Sequence, residues 1–214
     1  MGSQNQLFEI ADRQQGFFTA KQAEECGYKR SNFHLKLTSG EWTQEERGVY
    51  RLARYPVTER PELVLWSLWS RNVEDVPQGV WSHETALDIH ELSDVMPSKM
   101  HMTVPLDFRR RKEPPKLLRL YRGFLEGSDI EERQGYRVTT PLRTIIDCVA
   151  EGTVADNFIS QAIQQALGRG LLLERELETV KQTRPEIYQK IKRVLKRQQR
   201  LKQQQIFAKV WKHD

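Results

Sequence analysis

The chain has 214 residues, of which 38% are hydrophobic and 29% are charged. This length and composition allow one large domain or two modest ones, and they exclude a disordered polymer. No apolar run approaches the roughly 18 residues that a membrane span needs, and the polar, acidic N-terminus is not a secretory signal. Cys26 and Cys148 lack metal-binding or redox spacing. We therefore expect a cytoplasmic protein with two reduced thiols.

The positive charge is concentrated at the C-terminal end. The net charge is +5, and from Lys181 to Asp214 there are eleven Lys or Arg and two acidic residues, a net of +9. The preceding residues therefore carry 5 − 9 = −4. Overall basicity is for this reason weak evidence that the N-terminal part binds nucleic acid.

The first 55 residues show the pattern of a winged helix-turn-helix. Apolar spacing predicts a helix over 4–15, and the Thr19–Gln22 capping box begins a second helix. Ser31 is a good N-cap for a third helix that reaches Thr38. Two short strands at 42–44 and 49–52, joined by a turn over 45–48, predict the wing.

A second, mixed α/β domain is expected from 56 to 184, after the prolines at 56 and 61. The pattern predicts a helix over 62–71, another after the N-cap Ser82, and a small sheet of about four strands. The predicted strands are 100–104, 117–121, 130–132 and 136–139, and the helices that follow are 141–151, 155–168 and 173–181. A basic C-terminal helix or tail occupies 185–214. The predicted fold class is therefore α+β.

The third helix of such a module enters the major groove, with its N-terminal residues at the base edges. Phe33 and Leu37 should face the core, which leaves the polar residues between them outside. Asn suits adenine, Arg and Lys suit guanine, and Lys and Ser suit phosphates. The candidate DNA-binding residues are Lys29, Arg30, Ser31, Asn32, His34 and Lys36, with Arg47 and Arg51 in the wing.

The wing is unusually acidic for a DNA-binding element. It carries Glu41, Glu45 and Glu46, and Arg47 is the basic residue at its tip. Carboxylates repel phosphates, so we expect the wing to touch DNA through Arg47 or Arg51 at most. The helix and the turn before it should provide the main contacts.

Two further basic groups are candidates for secondary nucleic-acid contacts. One lies in a loop and the other on the last helix; they are Arg109, Arg110 and Arg111, and Lys192, Arg193, Lys196, Arg197 and Arg200. An exposed basic loop usually only improves solubility. In the last helix an apolar seam that begins at Ile187 and Ile191 favours a helix packed on its own domain or on a partner, and a phosphate-binding arm is the alternative.

No pattern of catalytic or cofactor-binding residues stands out. His83 and His90 are seven residues apart, roughly 10 Å along a helix, which is too far to share one metal ion. Asp129, Glu131 and Glu132 give a weak nuclease-like signal without a following catalytic lysine. We therefore expect no enzyme activity, cofactor or metal.

Several segments, taken in order, resemble AbiEi-type antitoxins. They are residues 16–23, 40–42 and 47–52 in the winged helix, and 82–87, 90–94, 103–105 and 139–147 beyond it. The resemblance spans about residues 7–170. It leaves out the basic tail.

This resemblance implies a transcriptional autorepressor whose winged helix binds inverted repeats in its own promoter. Self-association on the DNA is a separate expectation. It also implies an antitoxin of a type IV toxin–antitoxin, or phage-defence, system. Such a protein counteracts a nucleotidyltransferase-type toxin without a stable complex. A protein-interaction module that has lost DNA binding, and a DNA-targeted nuclease, stay as alternatives.

Overall fold

The structure is a computed structural model that describes residues 2–110 and 113–210; for residues 202 and 205–210 it describes the backbone alone. The candidate contact Arg111 lies outside the described residues. In the part of the chain that is described, no helix is long and apolar enough to cross a membrane.

The N-terminal part is a winged helix-turn-helix, as the sequence predicts. Its elements are α1 (Ser3–Arg13), β1 (Phe17–Thr19), α2 (Ala20–Glu25), a 3-10 turn (Arg30–Asn32), α3 (Phe33–Thr38), β2 (Trp42–Glu46) and β3 (Val49–Leu52). The three strands form an antiparallel sheet in the order β1-β3-β2. Strand β1 was not predicted, because three residues are too few to show an alternating pattern.

Local sequence signals explain where α2 begins, but not where α3 begins. The Thr19 hydroxyl accepts a hydrogen bond from the Gln22 amide (3.1 Å), and the Gln22 side chain accepts one from the Thr19 amide (2.9 Å). This confirms the capping box. The prediction that Ser31 caps α3 is wrong, because Ser31 lies inside the 3-10 turn and α3 begins at Phe33. A cap needs an extended backbone, and Ser31 already has helical neighbours.

Aromatic side chains form the core of the winged helix. Trp42 is buried, and its ring makes edge contacts with Phe18 (4.8 Å between centroids) and Phe33 (5.2 Å). Tyr50 from β3 meets Phe33 at 5.5 Å. These rings hold α3 against the wing, and such pairs add about 0.5–1.5 kcal/mol each beyond the burial of area.

The second part combines a mixed sheet with helices. Its elements are α4 (Pro61–Trp69), β4 (Val80–Trp81), α5 (His83–Ile89), β5 (Met100–Val104), β6 (Leu118–Arg122), β7 (Ile130–Arg133), β8 (Tyr136–Thr139), α6 (Pro141–Glu151), α7 (Asp156–Gly168), α8 (Glu174–Thr183) and α9 (Pro185–Val210). The sheet order is β6-β5-β4-β8-β7, with β4 parallel to β8 and antiparallel to β5.

Among the described residues the sheet has five strands, where the sequence predicted about four. The additional strand, β4, has two residues, yet it is central. Its Trp81 is fully buried and donates a hydrogen bond from Nε1 to the carbonyl of Leu63 (3.1 Å). A strand this short is defined by its neighbours in the sheet and leaves no periodic signal in the sequence.

The last helix, α9, packs its apolar seam on its own domain. Ile187, Ile191 and Val194 are buried against α6, α7 and α8, whereas Leu201 is 41% exposed. The described basic side chains on the other side of α9, from Lys190 to Arg200, are exposed to solvent.

A small apolar cluster joins the two parts of the chain. Phe17 and Val49 of the winged helix pack against Val64 and Leu68 of α4. All four side chains are at most 3% exposed. The winged helix therefore shares a buried core with the second part, so α4 fixes its position.

Two buried histidines lie at the sheet. The ring of His83 stacks on Tyr121 (3.6 Å between centroids), and His101 meets Tyr121 edge-on at 5.6 Å. Ser82 stands at the N-cap position of α5 as predicted, but its hydroxyl pairs with His83 and accepts from Thr103, and it does not cap the helix. Burial, followed by nearby positive charge, lowers the pKa of His83 to about 3 and that of His101 to about 4.

These histidines predict a loss of stability in mild acid. The unfolded histidines begin to bind protons below pH about 6.5, whereas the folded ones stay neutral down to about 4 and about 3. The stability that these neutral histidines provide is therefore fully present above pH 6.5. Below it, the free energy of unfolding falls by roughly 1.4 kcal/mol per pH unit for each histidine. Urea unfolding between pH 7 and pH 4.5 measures this slope. It should become shallower in His101→Phe; a slope equal to that of the wild type would contradict this role of the buried histidines.

Candidate nucleic-acid interface

The polar residues predicted to read DNA lie together on one exposed edge. Lys29, Arg30, Ser31, Asn32 and His34 are all exposed. The buried ring of Phe33 anchors this edge from below. The 3-10 turn thus presents three consecutive polar side chains at the start of α3, which is where such a helix meets base edges.

Arg30 is available for a ligand. Its guanidinium approaches the carboxylate of Glu24 at 3.8 Å, and the two side chains are 65% and 40% exposed. An exposed pair at that distance contributes at most about 1 kcal/mol. A phosphate or a guanine can therefore displace Glu24 at little cost.

Lys36 has a stronger partner. Its ammonium lies 2.7 Å from a carboxylate oxygen of Glu41, and Ser39 donates a second hydrogen bond to that carboxylate (3.0 Å). The hydrogen bonds from Lys36 and Ser39 lower the pKa of Glu41. The charge of Lys36 is thus largely balanced by a carboxylate at the beginning of the wing.

The two wing arginines have different roles. Arg47 is exposed at the turn between β2 and β3. Arg51 donates hydrogen bonds to the carbonyls of Tyr55 (3.3 Å) and Pro56 (2.8 Å), and its guanidinium lies 5.5 Å from the ring centroid of Phe17. Arg51 therefore holds the chain that leaves the wing, and Arg47 is the freer of the two.

An arginine that was not predicted fixes the wing from the second part of the chain. Arg71 follows α4, and its guanidinium donates to the carbonyl of Gly48 in the wing turn (3.2 Å) and pairs with Asp75 (2.9 Å). Asp75 in turn accepts a hydrogen bond from the hydroxyl of Thr19, the N-cap of α2. Burial lowers the pKa of Arg71, and the charge of Asp75 opposes that shift.

A glycine lies where Arg71 meets the wing. Gly48 has φ +72°, and a Cβ there would lie 2.9 Å from the guanidinium of Arg71. Another residue would be strained in this conformation, and the end of the Arg71 side chain would have to shift. The only local trace of this network in the sequence is the i,i+4 spacing of Arg71 and Asp75, which is common on protein surfaces.

The basic loop lies next to the wing. Arg110 donates to the carbonyl of Arg71 (3.1 Å), and its guanidinium lies 5.0 Å from the ring centroid of Trp69. Burial lowers the pKa of Arg110. Arg109 is exposed. Arg110 therefore reaches the wing turn through Arg71, which contacts Gly48 directly.

The basic residues of α9 form a separate surface. Lys192, Arg193, Lys196, Arg197 and Arg200 are exposed. Arg197 pairs with Asp156 at 2.9 Å, and the ammonium of Lys192 lies 5.4 Å from the ring centroid of Tyr188. None of the interactions described for these five residues joins them to the winged helix.

The residues considered for metal or nuclease chemistry have structural partners. His90 pairs through Nε2 with the carbonyl of Thr139 (2.8 Å). Asp129 pairs with Arg143 at 2.6 Å and Glu131 with Arg133 at 2.7 Å. Within the described residues, no group of three or more His, Cys, Asp or Glu is arranged to hold a metal ion.

Comparison with known families identifies the N-terminal module. Residues 5–53 match the model of a family described as "Transcriptional regulator, AbiEi antitoxin". The matched segment runs from α1 to just beyond β3, and it includes the wing and the exposed edge at the start of α3. The predicted resemblance to AbiEi antitoxins is therefore confirmed over the winged helix-turn-helix.

The fold of most of the chain has a counterpart of known structure. The RV2827C protein from Mycobacterium tuberculosis, solved by crystallography, superposes with a TM-score of 0.54 over 91% of this chain and 76% of that protein, at 12% sequence identity. At this identity the likeness shows the fold alone. A comparison with curated proteins gives no significant match.

The Arg71 network predicts that the second part stabilises the wing. Arg71→Gln removes the cation from a pair in which both side chains are at most 14% exposed, so Asp75 loses its charge partner. We expect a loss of roughly 3 kcal/mol in unfolding free energy, with faster amide exchange at residues 47–50.

The matched control is Arg133→Gln, which breaks the exposed pair with Glu131 and should cost less than about 1 kcal/mol. Urea unfolding and hydrogen exchange measure both effects. Equal losses in the two variants would show that Arg71 does not stabilise the wing.

Proposed function

We propose that this protein is a DNA-binding transcriptional autorepressor and the antitoxin of a type IV toxin–antitoxin, or phage-defence, system. The observation that carries the proposal is the exposed edge from Lys29 to Lys36 at the start of α3, within a winged helix that matches AbiEi regulators. The expected ligand is an inverted repeat in the protein's own promoter, bound in the cytoplasm by copies that associate on the DNA.

The residues of the edge divide into two roles. Arg30 and Asn32 stand where α3 would enter the major groove, and their side chains can read guanine and adenine respectively. Lys29, Ser31 and His34 flank them and suit phosphate oxygens. Arg47 of the wing tip and Arg109 of the loop continue the positive surface and extend it along the phosphate backbone.

The acidic wing favours a second candidate, a protein-interaction module. Glu41 balances the charge of Lys36, and Glu45 and Glu46 lie on β2. This wing disfavours close contact with phosphates. However, the carboxylates are on the wing, whereas the polar side chains of the 3-10 turn are exposed, and the contact of Arg30 with Glu24 is long. The nuclease alternative loses support because Asp129 and Glu131 both pair with arginines.

The antitoxin role is proposed for the part of the chain beyond the winged helix. It requires a nucleotidyltransferase gene beside this one. Expression of that toxin should stop growth, and co-expression of this protein should restore it. The Arg30→Ala variant should protect equally well. The two proteins should not co-purify. Failure to protect would remove the antitoxin role and leave the regulator.

Sequence-specific DNA binding should depend on Arg30 and Asn32. Arg30→Ala and Asn32→Ala each remove a base contact, so each should cost about 1–3 kcal/mol on the promoter repeat and reduce the preference over random duplex. Arg13→Ala, which removes an exposed arginine from α1, is the control and should bind like the wild type. Fluorescence anisotropy measures the affinity of each of the four proteins for both duplexes. An unchanged preference in both edge variants would contradict the assignment.

Glu41 should limit the affinity for DNA. Glu41→Gln removes a negative charge and frees Lys36 to meet a phosphate, so binding should tighten on all duplexes alike. The slope of log affinity against log salt concentration should steepen by about 1, the value expected for one added phosphate contact. Glu9→Gln removes an exposed carboxylate from α1 and should change neither quantity. If Glu41→Gln binds no tighter than the wild type, Lys36 is not a phosphate contact.

A further inference from the structure

An exposed apolar groove lies in the second part of the chain, and the proposed function does not use it. The groove encloses about 550 Å³ between the loop over residues 72–78 and the segments that follow β5 and β6. We call it the Phe124 groove. Val80, Val104, Leu125 and Ile130 contribute to its lining.

The lips of the groove carry large hydrophobic side chains in water. Phe124 is 75% exposed and Leu106 is 70% exposed on one lip, and Val76 is 54% exposed on the other. Val73, 88% exposed, stands on the same loop as Val76. Single exposed hydrophobics are ordinary, but several around one concave surface indicate a binding site.

Two arginines lie at the groove, Arg137 in its lining and Arg122 beside the lining residue Leu106. Arg122 donates to the carbonyls of Leu106 (2.9 Å) and Phe108 (2.8 Å), and Arg137 donates to the carbonyl of Pro77 (2.6 Å). Carbonyls hold these guanidinium groups in place without neutralising them. Within the described part of the chain, neither arginine lies within ion-pair distance of a carboxylate. Asp107 is the acidic residue in the lining.

We propose that the Phe124 groove binds an acidic and apolar segment of a second protein. The apolar lining accepts hydrophobic side chains, and the two fixed cations accept carboxylates beside them. Large exposed hydrophobic side chains on both sides of the cavity favour a peptide segment over a small molecule, because an extended segment can cover them all. This proposal does not depend on DNA binding.

The groove lies beside a loop that contacts the winged helix. The loop that forms one lip follows Arg71 and contains Asp75, the two residues that hold the wing turn and the N-cap of α2. A segment bound against Val76 would therefore contact the same loop that positions the winged helix.

The test uses the full chain and two fluorescein-labelled peptides. One is a short peptide that alternates leucine and glutamate, and the other has lysine in place of each glutamate. Fluorescence anisotropy measures their affinities for the wild type and for three variants. Phe124→Ser and Leu106→Ser alter the lip, and Met96→Ser removes a 92% exposed side chain that does not line the groove.

The acidic peptide should bind, and the lysine peptide should not. Phe124→Ser and Leu106→Ser should each weaken binding by about tenfold, the usual effect of losing a central interface side chain, and Met96→Ser should have no effect. The proposal is overturned if neither peptide binds, if both bind equally, or if Phe124→Ser binds like the wild type. It is also overturned if sedimentation shows that Phe124→Ser dissociates a dimer of this chain, because the groove would then join two copies.

Discussion

The guanidinium of Arg71 links the winged helix to the second part of the chain. It binds the carbonyl of Gly48 in the wing turn and the carboxylate of Asp75, which in turn accepts a hydrogen bond from the N-cap of α2. The apolar cluster of Phe17, Val49 and α4 packs beside it. The wing turn and the start of α2 are thereby both fixed to the second part of the chain.

The charges on the winged helix include some that would favour DNA binding and others that would oppose it. The exposed edge at Arg30 and Asn32 can read bases, whereas Glu41 balances Lys36 and the rest of the wing is acidic. A regulator with this balance should bind non-specific DNA weakly, because phosphate contacts supply most non-specific affinity. Specificity then depends on a small number of side chains at the start of α3.

Features that depend on neighbouring residues were predictable, and features that depend on distant ones were not. The capping box at Thr19, the wing strands and the helix that begins at Pro141 have local signals, and the structure confirms them. The strands β1 and β4 are two or three residues long and exist because of partners far away in the sequence. The links from Arg71 to Gly48 and from Asp75 to Thr19 join residues that are 23 and 56 positions apart. No periodicity or spacing rule could reveal them.

The candidate contacts were identified by residue type, and the structure distinguishes those that are free from those that already hold the fold. Arg51 and Arg110 hold backbone carbonyls, whereas Arg30 and Asn32 face solvent. Autorepression can be measured with a reporter fused to the region upstream of the gene. The wild type should lower reporter output, and Arg30→Ala should restore it. Equal output with and without the wild-type protein would contradict autorepression.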